Sequence, residues 1–230
     1  MLMTLINGKL STEQIIISMF AYLMVLFLIQ PLHECAHALV AHLMGDDTAK
    51  EEGRMTVNPI KHLDPAGTVA MLIFGFGWGK PVPIDPQRFR NFRAGVGLSA
   101  FAGPLSNFIA AFFGMVGAKL SQGTELSTND KFYGYLLIFF ILFTQLNIGL
   151  CVFNLIPVSP LDGDKVLFSI LPKKASMKYI ELTRRYSQFM PMLLFALMFT
   201  PALDFVREKA FDLLDTMTFF LDSYAMGTAG

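Results

Sequence analysis

The sequence has little of several features that mark soluble or secreted proteins. Basic and acidic residues balance at 18 each, and neither kind forms a block, which excludes the basic surface expected of a nucleic-acid-binding protein. The only two cysteines, Cys35 and Cys151, lie in apolar runs, so we interpret them as small buried residues and not as a disulfide framework. No repeat, low-complexity linker or long polar stretch indicates a separate soluble domain.

Hydrophobic sequence is what the chain has in excess. Hydrophobic residues make up 53% of its 230 residues, with 23 Phe and 14 Met, and they come in long runs. A soluble fold of this size could not bury such runs, so we predict an all-α integral membrane protein, a polytopic helical bundle in one membrane-embedded domain, 1–230. We expect the functional core at about 11–171 and C-terminal helices at about 186–224.

About four membrane spans are predicted from the apolar runs. They lie at residues 11–44, 94–118, 132–156 and 189–203. Pro31 is the expected kink in the first span, which should end at Gly45. Its apolar part lacks a small-residue cleavage site, so we do not expect its removal as a signal peptide.

Three other segments are expected to lie at or near the membrane surface. Residues 65–78 are apolar but short and rich in glycine, which favours a re-entrant or interfacial segment over a span. Residues 54–58 and 80–84 have strand character and predict a short surface β-hairpin. Residues 204–222 mix apolar and charged side chains, which is typical of an amphipathic interfacial helix.

The distribution of Lys and Arg predicts the orientation in the membrane. If residues 65–78 re-enter, most basic loop residues share one side, which should be cytoplasmic. These residues are Lys50, Arg54, Lys61, Lys80, Arg88, Arg90, Arg93, Lys173, Lys174, Lys178, Arg184 and Arg185. His37 then lies about 10 Å inside that surface.

The segment His33-Glu34-Cys35-Ala36-His37 matches the pattern H-E-x-x-H. Two His four residues apart lie on one helix face and can bind one metal ion, and Glu34 beside them can accept a proton from water. Ionisable side chains inside an apolar run are costly, which favours a functional role. Val40 and Leu43 occupy the Gly and third His positions of the elongated soluble-protease motif, so that class is excluded.

A catalytic zinc site needs a third protein ligand. Asp162 is our best candidate, because it follows a helix bearing polar residues and two helix-breaking prolines. On spacing alone, Asp162-Gly163 is also compatible with an ordinary turn. The neighbouring Asp164 is the competing carboxylate, although we expect it to cap a helix that starts at Lys165.

Three motifs together resemble the site-2 protease family of intramembrane metalloproteases. They are His33–His37 in a membrane helix, residues 103–107 (GPLSN) and residues 154–163 (NLIPVSPLDG). The resemblance covers roughly residues 28–171 and is strongest to the short bacterial-type members. It implies one Zn²⁺ per chain with Asp162 as the third ligand, and a role for Asn154 in holding the substrate or its oxyanion. Ser159 and Asp164 depart from the family pattern without touching the proposed ligands.

The resemblance also implies a substrate and a location. The substrate would be a single-pass transmembrane protein, cut by an enzyme in the lipid bilayer of a prokaryotic plasma membrane. The distribution of Lys and Arg predicts that the active site lies toward the cytoplasm. Asn107, Val82 and Ile84 are candidate substrate-binding residues, the last two through strand addition at 80–84, although an interhelical structural role is the alternative for Asn107. A metal transporter and a zinc enzyme for small molecules are the rival interpretations, and no oligomeric state is predicted.

Overall fold

The computed structural model describes residues 11–74, 79–122, 131–197 and 200–222, and its regular secondary structure over these residues is helical, without strands. Short 3₁₀ turns link several of the helices. The helices are α1 (Thr12–Leu43), α2 (Thr48–Glu51), α3 (Pro65–Phe74), α4 (Phe92–Gln122), α5 (Lys131–Asn154), α6 (Asp162–Ile170), α7 (Lys173–Arg185), α8 (Met190–Leu197) and α9 (Pro201–Met217).

The predicted helical membrane protein is confirmed at the level of its helices. Three of them, α1, α4 and α5, are long and apolar enough to cross a membrane. The run predicted as a fourth span at 189–203 is divided between α8 and α9, which count as one span only if Ser187–Leu197 and Pro201–Met217 cross the membrane as a bent pair. The number of four spans therefore stays a prediction.

Helix α1 contains a π-helical turn at Val25–Ile29, just before the proline that was expected to kink it. Pro31 cannot donate a backbone hydrogen bond, and its ring crowds the carbonyl four residues earlier. The helix absorbs this conflict by widening, so that Gln30 N–H donates to the Val25 carbonyl five residues back. The helix ends as predicted at Gly45, whose φ of 111° favours glycine.

Helix α4 packs against α1, α5 and α6, and it carries a ridge of small residues at every fourth position of the sequence. Every member of this ridge is buried, and the members are Gly95, Ser99, Gly103, Asn107 and Ala111. At the far end of the ridge, Ala111 joins a core cluster with Ile148 of α5 and Leu214 of α9. The ridge therefore brings α1 and α5 close to the same helix.

The predicted surface hairpin is not confirmed. Residues 54–58 are irregular apart from a bend at 55–56, and residues 80–84 are irregular, while an isolated antiparallel bridge joins Leu63 to Gly79. Arg54 explains part of the difference, because its guanidinium donates to the carbonyl oxygens of Lys80 (2.7 Å) and Pro81 (3.3 Å), where a neighbouring strand would donate. Of the segment 65–78, helix α3 is described, and residues 75–78 lie outside the described residues.

Candidate metal centre

Three potential metal ligands meet where α1, α4 and α6 come together. One ligand atom from each of His33, His37 and Asp162 lies within 4.8 Å of the other two. The two imidazole Nε2 atoms are 3.0 Å apart, and Asp162 Oδ2 lies 3.4 Å from the first and 3.2 Å from the second. All three residues are at most 9% exposed, so the cluster is removed from bulk water.

Local sequence explains why these three side chains converge. Spacing by four residues puts His33 and His37 on one face of α1. Helix α4 can approach that face because Gly103 has no side chain, and a Cβ there would lie 2.3 Å from His37 Nε2. Gly163 has the same function beside the third ligand, because a Cβ would lie 2.3 Å from the Leu155 carbonyl oxygen. Both glycines are thus required by close approach.

A second partner behind each imidazole fixes its orientation. His33 Nδ1 lies 2.8 Å from Asn107 Oδ1, and His37 Nδ1 lies 2.7 Å from the Ser99 carbonyl oxygen. Because both partners are acceptors, each Nδ1 carries the proton and each Nε2 keeps its lone pair toward Asp162. The donor set is therefore two imidazole nitrogens and one carboxylate, which fits a catalytic zinc ion with a free coordination position for water.

The Asp162 carboxyl is held in the ionised form that a ligand requires. Burial of Asp162 raises its pKa, but the nearby His33 and His37 lower it more, so the pKa lies well below its usual range. Lys165 Nζ, 4.0 Å from Asp162 Oδ1, adds a weak exposed contact on the other oxygen.

Glu34 lies directly beside the two imidazoles and is 8% exposed. Its Oε1 accepts a long hydrogen bond from Gln30 Nε2 (3.4 Å), one helical turn earlier. Its Oε2 accepts from the backbone N–H of Val82 at 3.2 Å. The segment 80–84 is therefore placed next to Glu34, although the Ile84 side chain packs with Ala41 and Phe89 instead.

The remaining candidates lie in other surroundings. The Asn154 amide donates to the Leu150 carbonyl of its own helix at 3.0 Å. The prediction that Asp164 caps a helix starting at Lys165 was wrong, because α6 begins at Asp162 and the Asp164 carboxylate lies 2.6 Å from the Tyr179 hydroxyl. The loop residue His62 is fully buried and bonds to the Thr56 carbonyl, and not to the metal centre.

Sequence reasoning missed three positioning groups around the centre. The Ser99 carbonyl behind His37, the Gln30 amide behind Glu34 and the Arg54 guanidinium behind residues 80–81 were not singled out. Ser99 lies on the small-residue ridge that also carries Gly103, and Gln30 is the polar residue one turn before the motif. Both signals were present in the sequence, whereas nothing in it connects Arg54 to residues 80–81.

Comparison with known proteins places this arrangement in a family. The sequence model of peptidase family M50 matches residues 125–199, a region that includes Asp162. A protein of Bacillus subtilis (strain 168) named "Putative zinc metalloprotease YwhC" is 42% identical over 157 residues, covering 68% of this chain and 72% of the relative. No solved structure matches the chain.

Proposed function

The chain belongs to peptidase family M50, the site-2 proteases, and is an intramembrane zinc metalloprotease, and from this premise we propose that His33, His37 and Asp162 hold its Zn²⁺ ion and Glu34 is its general base. The observation that carries the assignment is the convergence of three buried ligand atoms within 4.8 Å of one another. Two of these atoms belong to the His residues of the H-E-x-x-H motif, and the third belongs to Asp162 in the second family motif, residues 154–163.

Each residue then has a definite chemical task in peptide hydrolysis. When bound, zinc supplies Lewis-acid activation of water and of the scissile carbonyl. Glu34 accepts the proton of the attacking water and returns it to the leaving amine. Gln30 and the Val82 N–H hold its two carboxylate oxygens, and Asn107 and Ser99 keep the two imidazoles in the ligating tautomer.

The first prediction separates the role of Glu34 from metal binding. Glu34→Gln keeps the two His and Asp162, so zinc content should stay at one ion per chain, while cleavage falls by about 10²-fold or more because the base is lost. Both proteins are reconstituted in liposomes with a reporter that contains one transmembrane helix, and cleavage and bound zinc are measured together. Cleavage by the Gln variant at the wild-type rate would contradict the assignment of the base.

A single-pass transmembrane protein is the substrate class that we propose. A helix within the bilayer has its peptide groups bonded internally, so it must unwind before a carbonyl can be attacked. The irregular segment 80–84 supports docking of the unwound stretch, because the hydrogen bond from Val82 N–H places this segment beside Glu34. Ile84 contributes through its backbone, since its side chain is packed inward.

Asn154 is proposed to donate a hydrogen bond to the developing oxyanion. Asn107, which already contacts His33, is proposed to contact the substrate as well. The Asn154 amide would first have to leave the Leu150 carbonyl, so this role requires a change of rotamer on substrate binding.

Disulfide crosslinking tests the docking segment. In a Glu34→Gln background without native cysteines, Val82→Cys should crosslink to a cysteine at the reporter's scissile region. Ile60→Cys is the control, because Ile60 is 82% exposed but lies in the loop before α3. Equal crosslinking at both positions, or none at Val82→Cys, would contradict substrate docking at 80–84.

The proposed location is a prokaryotic plasma membrane, with the active site toward the cytoplasm. Arg93, at the start of α4, donates to the backbone carbonyls of Phe168 and Leu171, so the basic segment that follows α6 lies at the same end of the bundle as the basic loops before α4. The position of both groups of cations at one end of the bundle supports a cytoplasmic location of that end.

A further inference from the structure

Helix α7 (Lys173–Arg185) carries an exposed face that the protease mechanism does not use. Met177 and Ile180 are 69% and 44% exposed, and they lie on one helix face between Lys173 and Arg184, at spacings of four, three and four residues. The basic residues of the helix are Lys173, Lys174, Lys178, Arg184 and Arg185, against Glu181 as its single acidic residue.

These five cations are available to a partner. All five are exposed, and none of them forms an ion pair with any residue that the structure describes. Their charge is therefore not neutralised within this part of the protein. Two exposed apolar side chains among uncompensated cations favour a surface that is both anionic and apolar, and a headgroup layer above acyl chains has both properties.

Chain connectivity places α7 where such a surface must be. The helix leads directly into the apolar stretch Ser187–Leu197, one of the two parts of the candidate fourth span. On its other side, Arg93 ties the start of α7 to the start of the spanning helix α4 through the Leu171 carbonyl. With Ser187–Leu197 in the membrane, as the fourth predicted span requires, both ends of α7 lie at a membrane boundary. The basic side of the bundle is the side on which anionic lipids exert their attraction.

We propose that α7 docks on the anionic phospholipid headgroups of the leaflet beside it, with Met177 and Ile180 in the acyl boundary and the flanking Lys and Arg on phosphate groups. Another face of α7 contacts the chain on both sides of Asp162, because the Tyr179 hydroxyl lies 2.6 Å from Asp164 Oδ1 in α6 and 3.0 Å from the Pro157 carbonyl oxygen before it. A consequence, which rests on the proposed function, is that lipid docking steadies the backbone on both sides of Asp162.

Quenching of a tryptophan by brominated lipids tests the docking without requiring activity. Trp78, the chain's single tryptophan, is replaced by Phe, and Met177→Trp is introduced as the reporter on α7. The full chain is reconstituted in vesicles of phosphatidylcholine and phosphatidylglycerol in equal parts, with bromine on the chains of one lipid or of the other. We expect brominated phosphatidylglycerol to quench the tryptophan more strongly than brominated phosphatidylcholine does. The two lipids are equally abundant in the vesicle, so a difference in quenching reports enrichment of the anionic lipid around α7.

Charge neutralisation then identifies the cause. In Lys174→Gln/Lys178→Gln the excess quenching by brominated phosphatidylglycerol should be lost, and in the matched control Lys50→Gln/Lys131→Gln it should remain, since that pair removes the same charge elsewhere. Quenching that is equal for the two lipids, or absent for both, would overturn the proposal, as would an excess that survives neutralisation on α7. Loss of the excess in both variant pairs would also overturn it, because the effect would then be one of net charge.

Discussion

At the scale of single residues, the metal centre depends on the groups behind the imidazoles as much as on the imidazoles. Asn107 is fully buried, and its Oδ1 accepts a hydrogen bond from His33 Nδ1 at 2.8 Å. Asn147 is an equally buried amide, but it donates to the Phe143 carbonyl of its own helix at 2.8 Å. The two residues have the same side chain and burial, and they differ in whether they orient a ligand.

Asn107→Ala should therefore lower zinc affinity by about 10–100-fold, because the His33 imidazole loses the acceptor that fixes its tautomer and its orientation. Asn147→Ala is the matched control and should leave zinc affinity unchanged. Affinity is measured by competition with a chelator in detergent micelles. Equal losses in the two variants would show that removal of a buried amide is responsible, and not loss of the hydrogen bond that orients His33.

At the scale of elements, the carboxylate of Asp46 positions the segment beside Glu34. This residue follows α1, is 1% exposed, and accepts hydrogen bonds from the backbone N–H groups of Thr48 (3.0 Å) and Asp85 (2.8 Å). Asp85 follows the segment 80–84 directly, while Arg54 holds the Lys80 and Pro81 carbonyls before it. Single buried charges thus hold both ends of the segment, and at its first end they add to the isolated bridge, where the Lys80 N–H donates to the His62 carbonyl at 2.7 Å.

Asp46 also gives a testable pH dependence. Burial raises its pKa, but the hydrogen bonds with Thr48 and Asp85 lower it more, so the pKa in the folded state lies below the ordinary 3.8. A lowered pKa stabilises the fold at pH values above 3.8, and this stabilisation is lost as the pH falls through the folded-state value.

Asp46→Asn should therefore destabilise the protein near neutral pH by about 1–3 kcal/mol, because an NH₂ group then faces backbone donors. The difference from wild type should shrink as the pH is lowered below 3.8. Thermal unfolding across this pH range measures it. Asp212→Asn, at an exposed residue paired with Lys209, is the control and should show neither effect. A difference between wild type and Asp46→Asn that stays constant over the range would contradict the lowered pKa.

How much of this could be predicted from the sequence depends on the distance over which each signal acts. His33, Glu34 and His37 lie within about one helical turn, so their spacing alone predicts their common face. The small-residue ridge of α4 is equally local in the sequence, and all of its members are buried in the structure. Asp162 lies far along the chain from the two His. Its neighbours made it the best candidate, but only the family resemblance separated it from an ordinary turn.

The elements that the sequence did not predict are those decided by tertiary contacts. The alternation at 80–84 is typical of a strand, but the Arg54 side chain occupies the carbonyls that a partner strand would use. Pro31 predicts that α1 is distorted, but the sequence does not predict that the distortion is a π-helical turn at Val25–Ile29. The apolar and charged pattern of 204–222 predicts an amphipathic helix, but does not show that Leu214 is fully buried against α4 and α5.

At the scale of the whole molecule, α9 packs against α5 and α4, where Leu214 is buried with Ile148 and Ala111. Lys119, near the end of α4, is 7% exposed, and its Nζ lies 3.0 Å from Asp215 Oδ1 and 2.8 Å from Asp222 Oδ1. It also donates to the Asp215 carbonyl oxygen at 3.1 Å. One buried cation of α4 thus binds both the last turn of α9 and the turn that follows it.

Lys119→Met should loosen α9 without disturbing the metal centre. The methionine keeps the apolar stem of the side chain but loses the three contacts of the ammonium group. Because both carboxylates are about half exposed, the loss in folding free energy is about 1 kcal/mol, which is less than for a fully buried ion pair. Amide hydrogen exchange should accelerate in α9 and stay unchanged in α1. Lys131→Met removes an exposed lysine from the start of α5 and should change neither helix. If exchange in α1 accelerates as much as in α9, the C-terminal helix unfolds together with the helix that carries the two His, and the bundle is a single cooperative unit.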